Sequence, residues 1–402
     1  MERSHDRILT THVGSLPRSP KLLELLVRKN DGEEVAAEEF ARRCAADMEE
    51  VVRRQLAAGI DIGGDGELPR IGFSFYVKDR MSGFGGSSPR GTFTDMRKFP
   101  GYAALRSGAT KVVDEGKDMT KNATLYDIPA AVGEIRGDPE QRAAREELAQ
   151  FAAALEAAAP AGRFRETFVT AATPGIISTT MLRAAGHPLY ATDRDYLMAV
   201  AGELAKEYRA IVEAGHVLQL DAPDLAMERQ ILFQDRPLHE FQQRVEWHIE
   251  AINLAIAGLP RDRVRLHVCW GNWDGPHVDD VELADVLPLL YEAKVGALSL
   301  PGANPRHQHD VKLLKRQPPP GDMLLIGGVI DVTTHYVEHP EVVADRICAY
   351  AEAVGDPTRV IACTDCGFST FAGYVMVAED VAWAKLATLA EGARLASERL
   401  FA

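Results

Sequence analysis

The chain has 402 residues, of which 46% are hydrophobic and 26% charged, a composition typical of a soluble globular protein with a large core. A net charge of −14 argues against a nucleic-acid or anionic-membrane surface, and no apolar run is long enough for a membrane helix. The N-terminal residues lack the apolar segment of a secretory signal, so we expect none. The five Cys residues do not resemble a disulfide framework, so we expect a cytoplasmic protein.

Eight short apolar runs that end in Gly, Pro or polar residues predict β-strands. In chain order they lie within residues 8–18, 59–70, 165–175, 216–225, 264–272, 295–303, 322–332 and 359–368. Amphipathic or Ala-rich segments between them predict helices, with examples at 38–59, 196–215, 238–258, 281–294 and 340–355. This alternation predicts an α/β fold, a single (β/α)8 TIM barrel over residues 1–402, with an open doubly wound sheet as the alternative.

The spacing of these runs is uneven near the start of the chain. About a hundred residues separate the second and third predicted strands, so residues 71–164 predict a long insertion after the second strand. Its segment 81–108 is rich in Gly, Ser, Arg and aromatic residues. Because barrel enzymes build their sites on the carboxyl ends of the strands, we expect the insertion to cover the active-site mouth. A flap that only packs on the barrel is the alternative.

Polar residues collect at the carboxyl ends of the predicted strands, which converge on one mouth in a barrel. In chain order they are His12, Ser15, Asp65, Glu67, Thr173, Asp221, Asp224, His267, Cys269, Asn304, His307, His309, Asp331, Cys363, Asp365 and Cys366.

Two of the strand-end segments carry metal-binding side chains. His267 and Cys269 are two residues apart on a strand, so they face the same side, and Cys363 and Cys366 offer two thiols at the end of the last strand. A His with one or two thiolates favours Zn²⁺ over hard cations, and fewer than four protein ligands leave one position open. Anionic sulfurs make zinc a poor Lewis acid toward water but keep a bound substrate thiolate electron-rich, so S-alkylation is favoured over hydrolysis.

Five motifs match a known family in order and spacing: THVGSLPRS (11–19), DGELPR (65–70), LDAPDL (220–225), LHVCWGN (266–272) and TDCGF (364–368). Together they resemble the C-terminal catalytic barrel of the cobalamin-independent methionine synthase family. The resemblance covers nearly the whole chain.

The resemblance implies a zinc ion held by His267, Cys269 and Cys366. It also implies a substrate site formed by Glu67 and Asp221 with the motif that contains His12 and Ser15. By position, Ser15 would meet the carboxylate of homocysteine, while Glu67 and Asp221 would meet its ammonium group. The expected partners are this or another small-molecule thiol and a methyl or alkyl donor.

The sequence departs from the family at several positions. The family's Glu ligand falls at Pro301, so His307, His309 or Cys363 are candidates for an additional ligand. A substrate that completes the shell, or a site with three protein ligands, are the alternatives. The Glu of the Ile-Asp-Glu-Pro motif is Ala222, and the family's catalytic His is replaced by Thr333. Asp331 and the nearby His335 are therefore the candidates for a catalytic acid or base.

Several functions remain open on this basis. The favoured one is zinc-dependent activation of a thiol for S-methyl or S-alkyl transfer, as in methionine synthases. An epoxyalkane:coenzyme M-type thiol transferase is the alternative in the same class, and its sulfonate would need a cation such as Arg18, Arg70 or Arg306. Zinc hydrolysis, a zinc-free decarboxylase and a non-catalytic zinc- or ligand-binding barrel belong to other classes. We expect no nucleic-acid or membrane partner, and a homodimer is an open expectation.

Overall fold

The fold is taken from a computed structural model, which describes residues 1–91, 93–109, 113–114, 117–118 and 128–402. Its strands, in chain order, are β1 (Leu9–Thr10), β2 (Ile62–Gly64), β3 (Met81–Gly85), β4 (Val113–Asp114), β5 (Lys117–Asp118), β6 (Ala130–Gly137), β7 (Glu166–Ala172), β8 (Val217–Asp221), β9 (Val264–His267), β10 (Ala297–Leu300), β11 (Leu324–Ile330) and β12 (Val360–Thr364).

The α-helices of the described chain alternate with these strands over most of its length. They are α1 (Pro20–Asn30), α2 (Ala37–Ala57), α3 (Val77–Arg80), α4 (Thr94–Lys98), α5 (Pro100–Ala109), α6 (Arg142–Ala158), α7 (Pro174–Thr180), α8 (Asp193–Glu213), α9 (Leu238–Ala255), α10 (Leu283–Leu290), α11 (Val311–Arg316), α12 (Pro340–Val354) and α13 (Glu379–Leu400). In this part of the chain, none of the helices combines the length and apolar character needed to cross a bilayer.

Eight of the strands form one parallel sheet in the order β1-β12-β11-β10-β9-β8-β7-β2. A parallel bridge between Thr11 and Ile62 joins the two ends of this order and brings β1 next to β2. Each strand lies inside one of the eight predicted apolar runs, and helices follow the strands around the outside. The predicted (β/α)8 barrel is therefore confirmed, and the doubly wound alternative is wrong.

Inward-facing side chains fill the barrel with a small apolar layer that includes Leu9, Ile62, Phe168, Ile326 and Cys363. The charged residue Arg265 is also buried among the strands. The Arg265 guanidinium lies 3.7 Å from the centre of the Phe168 ring, and donates to Gln219 Oε1 (2.8 Å), Thr11 Oγ1 (3.1 Å) and the His12 carbonyl (3.0 Å). These bonds link β9 to β8 and to the end of β1. Without them, these strands would be held together here only by packing of the apolar layer.

The outer helices begin and end at recognisable signals. At the start of α8, Thr192 and Asp195 form a reciprocal capping box that satisfies free backbone N–H groups. The helix α12 begins with Pro340 at its first position and ends at Gly355, whose positive φ of 75° suits glycine. Such signals explain why the predicted helix bounds agree with the structure to within a few residues.

The predicted insertion contains a folded excursion between β2 and β7. Its strands β3 and β6 pair antiparallel, and α4 and α5 lie between them in the chain. The last helix of this region, α6, packs against α2 and α8, in the place of the helix that follows the second barrel strand. Residue 92 and residues 110–112, 115–116 and 119–127 of the predicted insertion lie outside the described residues.

Candidate metal and thiol site

The carboxyl ends of β9 and β12 bring three predicted ligands together. His267 is the last residue of β9, Cys269 follows two residues later, and Cys366 lies two residues beyond the end of β12. Their ligand atoms all lie within 4.8 Å of one another, the separation expected for groups that can share one ion. Cys366 reaches this position beside Gly367, where an added Cβ would lie 2.0 Å from Ser15 Oγ, so a larger residue would have to displace the Ser15 side chain.

The donor atoms of this cluster suit Zn²⁺. The hydrogen bond from the Cys366 thiol, with help from His267, holds the pKa of Cys269 well below its ordinary value, while the same contact and burial raise the pKa of Cys366. Ser299 Oγ lies 3.4 Å from His267 Nδ1, whereas His267 Nε2 is buried without a hydrogen-bond partner. A buried imidazole nitrogen without a partner, beside two thiol sulfurs, matches the ligand chemistry of zinc.

The structure separates the candidates for an additional ligand from this cluster. His307 Nε2 lies 3.0 Å from Asp280 and its Nδ1 lies 3.4 Å from Asp310, so both ring nitrogens are already engaged. His309 is 55% exposed and pairs with Glu282 and Asp310 instead. Cys363 belongs to the apolar layer inside the barrel, and burial raises the pKa of its thiol to about 12.

Pro301 lines a small chamber beside Cys269 and Cys366. The chamber has a volume of about 30 Å³, which is room for about one water molecule. His307, Asp331 and Asp365 line it as well. At Pro301, where the resemblance led us to expect a ligand, the chain therefore borders a small space next to Cys269 and Cys366. His307 also borders this space, but its two ring nitrogens are engaged with Asp280 and Asp310.

A second and much larger cavity, of about 760 Å³, also borders the cluster. It shares Cys269 and Cys366 with the small chamber, so the two sulfurs lie in the wall between the two spaces. Three of the four predicted substrate-binding residues line it together with the three ligands: Ser15, Glu67 and Asp221. Residues of the insertion, including Arg90 and Phe93, line this cavity as well.

Glu67 and Asp221 form a buried acidic pair in this wall. Burial and the Asp65 carboxyl raise the pKa of Glu67 to about 7, even though Arg70 and Arg18 oppose the shift, and burial together with the Glu67 carboxyl raises the pKa of Asp221. Glu67 has a left-handed φ of 56°, held by Arg18 donating to its carbonyl (2.7 Å) and by its own N–H donating to Asp65 (3.0 Å). Its Oε2 has no partner, so a bound cation would relieve both the repulsion and the missing bond.

His12, the fourth predicted substrate-binding residue, does not line either cavity. Its Nε2 lies 2.8 Å from Gln55 Oε1, its Nδ1 accepts from the Gly14 N–H at 3.1 Å, and its ring packs edge-on against Phe168. Burial lowers its pKa to about 3, so the ring is neutral. The structure thus gives His12 a part in shaping the β1 turn instead of a contact with the cavity.

The two candidates for an acid or base are placed differently. Asp331 lines the small chamber, but its carboxylate accepts from Thr333 N (2.7 Å), Thr333 Oγ1 (2.8 Å) and Thr334 Oγ1 (3.2 Å). His335 is exposed, and its Nε2 accepts from the Ala378 N–H at 3.3 Å, outside both cavities. Asp331 therefore caps its own turn, and His335 is not brought to the site.

Sequence reasoning missed the loop that follows Cys269. Asn272 and Trp273 line the large cavity, and His277 shares Asp280 with His307. The signal was present in the sequence, because polar and aromatic residues directly after a ligand-bearing strand end also lie at the barrel mouth. The aromatic residues of the excursion also indicated a site at the barrel mouth, but the sequence did not show where in the mouth they would lie.

Comparison with known proteins places the chain among homologues, although no protein-family model matches it. It is 28% identical over 237 residues to the 2-hydroxypropyl-CoM lyase of Xanthobacter autotrophicus, a match that spans 52% of this chain and 57% of the lyase. It is 24% identical over 392 residues to a methionine synthase of Saccharolobus islandicus, spanning 97% of this chain and 95% of the relative. A methionine synthase of Sulfurisphaera tokodaii is 24% identical over 393 residues, or 97% of this chain and 93% of that protein.

Solved structures bear on the fold. The structure of a B12-independent methionine synthase from Shewanella sp. W3-18-1, in complex with selenomethionine, matches with a TM-score of 0.67 at 20% identity, covering 98% of this chain and 99% of the other. The resemblance found in the five motifs is thus confirmed: the chain is a homologue of proteins named methionine synthase and 2-hydroxypropyl-CoM lyase, on the barrel of B12-independent methionine synthases.

Proposed function

We propose that the protein is a zinc-dependent transferase that activates a small-molecule thiol for S-methyl or S-alkyl transfer. The observation that carries this proposal is the cluster of His267, Cys269 and Cys366, whose ligand atoms lie within 4.8 Å of one another at the edge of a large cavity. The homologues named methionine synthase support a methyltransferase that acts on a thiol.

When bound, zinc lowers the pKa of a substrate thiol so that the sulfur is a thiolate at neutral pH. The chain's own residues already favour binding of this ion. The Cys366 thiol donates to the Cys269 sulfur, so the cluster already favours one thiolate, and Ser299 leaves His267 Nε2 as the free nitrogen. His267 and Cys269 are buried and Cys366 is half-buried, so the cluster is partly shielded from bulk water.

The acidic pair supports an amino-acid thiol such as homocysteine as the acceptor. Glu67 and Asp221 line the cavity with Ser15, next to the cluster, and an ammonium group between the two carboxylates would lower both pKa values. A zwitterion bound there would present its thiol toward the metal ligands. In this proposal the residues of the excursion cover the mouth, and the enzyme acts in the cytoplasm.

A second candidate is a thiol transferase of the epoxyalkane:coenzyme M type. The match to 2-hydroxypropyl-CoM lyase favours it, although that match spans about half of each chain. Among the described residues that line the large cavity, Arg90 is the only guanidinium or ammonium group, and it is paired with the buried Glu228. A sulfonate thiol would have to compete with Glu228 for that arginine, so we rank this function second.

Metal analysis of the purified protein tests the cluster directly. We expect about one zinc per chain, and loss of most of it in Cys366→Ala and in His267→Ala, since each removes one of three protein ligands. Cys363→Ala is the matched control because its thiol lies in the apolar layer, and this variant should keep the metal. A wild-type protein without zinc, or full zinc content in the two ligand variants, would show that the cluster is not a metal site.

Zinc-edge X-ray absorption then identifies the acceptor. A new Zn–S distance with homocysteine but not with coenzyme M or glutathione would support the amino-acid thiol. The same change with coenzyme M alone would favour the second candidate. Bound zinc with no new Zn–S bond and no alkyl transfer for any thiol would leave a non-catalytic zinc-binding barrel.

A further inference from the structure

Arg18 is a buried cation that borders neither cavity. It lies between β1 and α1 and is only 4% exposed, and it is not among the described residues that line the large cavity or the small chamber. A thiol or a metal ion bound in these spaces would therefore not touch Arg18. Its contribution to the site depends on the groups that its guanidinium holds in place.

Three hydrogen bonds from Arg18 hold the loop that follows β2, residues 65–70, which we call the β2 loop. The guanidinium donates to the carbonyls of Glu67 (2.7 Å), Leu68 (3.2 Å) and Arg70 (2.9 Å). Glu67 has a left-handed φ of 56°, a conformation that costs free energy and persists only where other contacts hold it. Arg18 thus helps to fix the place at which the Glu67 side chain enters the wall of the large cavity.

The same guanidinium also holds the loop that follows β12, residues 365–370, which we call the β12 loop. Arg18 donates to the carbonyl (2.8 Å) and to Oγ (2.9 Å) of Ser369, three residues after the candidate ligand Cys366. The turn before Arg18 binds this loop as well, because Ser15 accepts from two of its N–H groups, at 2.9 Å and 3.4 Å. One side chain therefore joins the β2 loop to the β12 loop.

These two loops carry the two ends of the proposed thiol site. In the proposed function, Glu67 binds the ammonium group of an amino-acid thiol, and Cys366 helps to hold the metal that takes its sulfur. The separation of the two loops then sets the length of the carbon chain that can bridge them. One extra or missing methylene typically changes binding in a substrate pocket about 10- to 200-fold.

We propose that Arg18 determines which thiol chain length the site accepts, because its single guanidinium holds the β2 loop and the β12 loop at one fixed separation. Arg18 is a positioning residue that acts through Glu67 and Cys366. This role rests on the proposed function, in which an amino-acid thiol spans the two loops. We therefore expect homocysteine to be preferred over cysteine, which is one methylene shorter, and this preference to depend on Arg18.

Calorimetric titration of the purified, zinc-containing protein with homocysteine and with cysteine measures this preference. The wild type should bind homocysteine at least about 10-fold more tightly. Arg18→Lys keeps the charge, but a single ammonium group cannot reproduce the fork of bonds to both loops, so the preference should fall to about 3-fold or less. An Arg18→Lys protein that keeps the wild-type preference would overturn the proposal.

Arg346→Lys is the matched control. Arg346 also joins two strand ends, since it donates to the carbonyls of Val329 on β11 (2.9 Å) and Ala303 after β10 (3.2 Å). Neither bond involves the β2 loop or the β12 loop, so this variant should keep the wild-type preference for homocysteine. An equal fall in preference in both arginine variants would show general loosening of the barrel mouth and would remove the specific role of Arg18.

Ser369→Ala is a milder variant in case Arg18→Lys folds poorly. It removes only the Oγ acceptor on the β12 loop, so the preference for homocysteine over cysteine should fall about 2- to 3-fold. An unchanged preference in Ser369→Ala would contradict the link between Arg18 and the β12 loop.

Hydrogen exchange measured by mass spectrometry separates this inference from the proposed function, because it needs neither metal nor thiol. Arg18→Lys should speed amide exchange at least about 10-fold in both loops, whereas Arg346→Lys should leave them as in the wild type. A protein that binds zinc and homocysteine but shows no joint loosening keeps the proposed function and loses this inference. Joint loosening in a protein that binds no zinc overturns the proposed function and the chain-length role, and leaves only the link between the loops.

Discussion

At the scale of single residues, His307 shows how the surroundings of a side chain decide its role. Although burial opposes it, hydrogen bonds from the ring to Asp280 and Asp310 raise the pKa of His307 to about 9. The same contacts lower the pKa of Asp280. The ring also packs on Trp270, with ring centres 4.4 Å apart. His307 is therefore a fixed cation beside the small chamber at neutral pH, and not the spare ligand that its position in the sequence indicates.

This contact predicts a pH-dependent contribution to stability. Because the pKa of His307 is higher in the folded chain than the ordinary value of about 6.5, the contribution is complete below about pH 6.5 and is lost as the pH rises through about 9. Urea unfolding should show His307→Gln less stable than wild type at pH 6, with a smaller difference at pH 9.5. The exposed His309→Gln is the control and should differ little at either pH. A difference that grows with pH would contradict the assignment.

At the same scale, Gly14 leaves room for the side chains of Glu67 and Thr170. It has a φ of 100°, and a Cβ there would lie 2.3 Å from Glu67 Oε1 and 2.6 Å from Thr170 Cγ2. Gly32 has a similar φ of 80° with no atom within 4 Å, so it is the matched control for backbone strain.

We expect Gly14→Ala to displace Glu67 as well as strain the backbone. Gly32→Ala should cost about 1 kcal/mol of unfolding free energy and leave thiol binding unchanged. Gly14→Ala should cost about 1–3 kcal/mol more and weaken binding of an amino-acid thiol at least about 10-fold. Urea unfolding and calorimetric titration measure the two effects. Equal stability and equal thiol affinity in the two variants would remove Glu67 from the proposed substrate site.

At the scale of elements, the helix α4 is hydrogen-bonded to the loop that follows β9. Asp95 is fully buried, and its carboxylate accepts from the backbone N–H groups of His277 (2.8 Å) and Val278 (3.5 Å). The stacked pair of Phe93 and Trp273 continues the contact. The excursion and the loop that carries Cys269 are therefore one packed unit, so the excursion and the candidate metal site depend on each other.

Asp95→Ala should loosen this unit. The change removes both acceptors of a buried loop, which costs about 1–3 kcal/mol, and should make the excursion about 10-fold more sensitive to limited proteolysis. Asp235→Ala is the control, because it removes an exposed ion pair with Arg97, which lies on α4. This variant should leave the rate of proteolysis unchanged. If mass spectrometry finds the same cleavage rate in both variants, the excursion is held by other contacts.

At the scale of the whole molecule, the barrel could be predicted from the sequence, and the site only in part. Parallel strands covered by helices are apolar along their whole length, and this pattern marked all eight barrel strands. The motifs at the strand ends located His267, Cys269 and Cys366. The direction of a side chain past a strand end was not predictable, because it depends on turns: Cys363 lies in the barrel interior, while His335 bonds to a neighbouring loop.

The polar contacts inside the barrel predict a global effect of one residue. Arg265→Leu would leave Gln219, Thr11 and the His12 carbonyl without their buried donor, at a cost of about 3 kcal/mol or more. The midpoint of urea unfolding should fall accordingly. Arg142→Leu, on the exposed start of α6, should stay within about 0.5 kcal/mol of wild type. Comparable midpoints for the two variants would show that packing alone closes the barrel.

The short strand β1 has a consequence for how the protein is made. Leu9 and Thr10 pair with Ile361 and Ala362 of β12, and Thr11 adds a single bridge to β2. Because β1 is synthesised before β12, it cannot form this ladder until β12 has been made. A nascent chain that is cut short by a premature stop before β12 leaves the barrel open at this seam. The unpaired edges of β1 and β11 are then exposed to chaperones and proteases. Cellular quality control can thus recognise an incomplete copy even when most of the ring is already built.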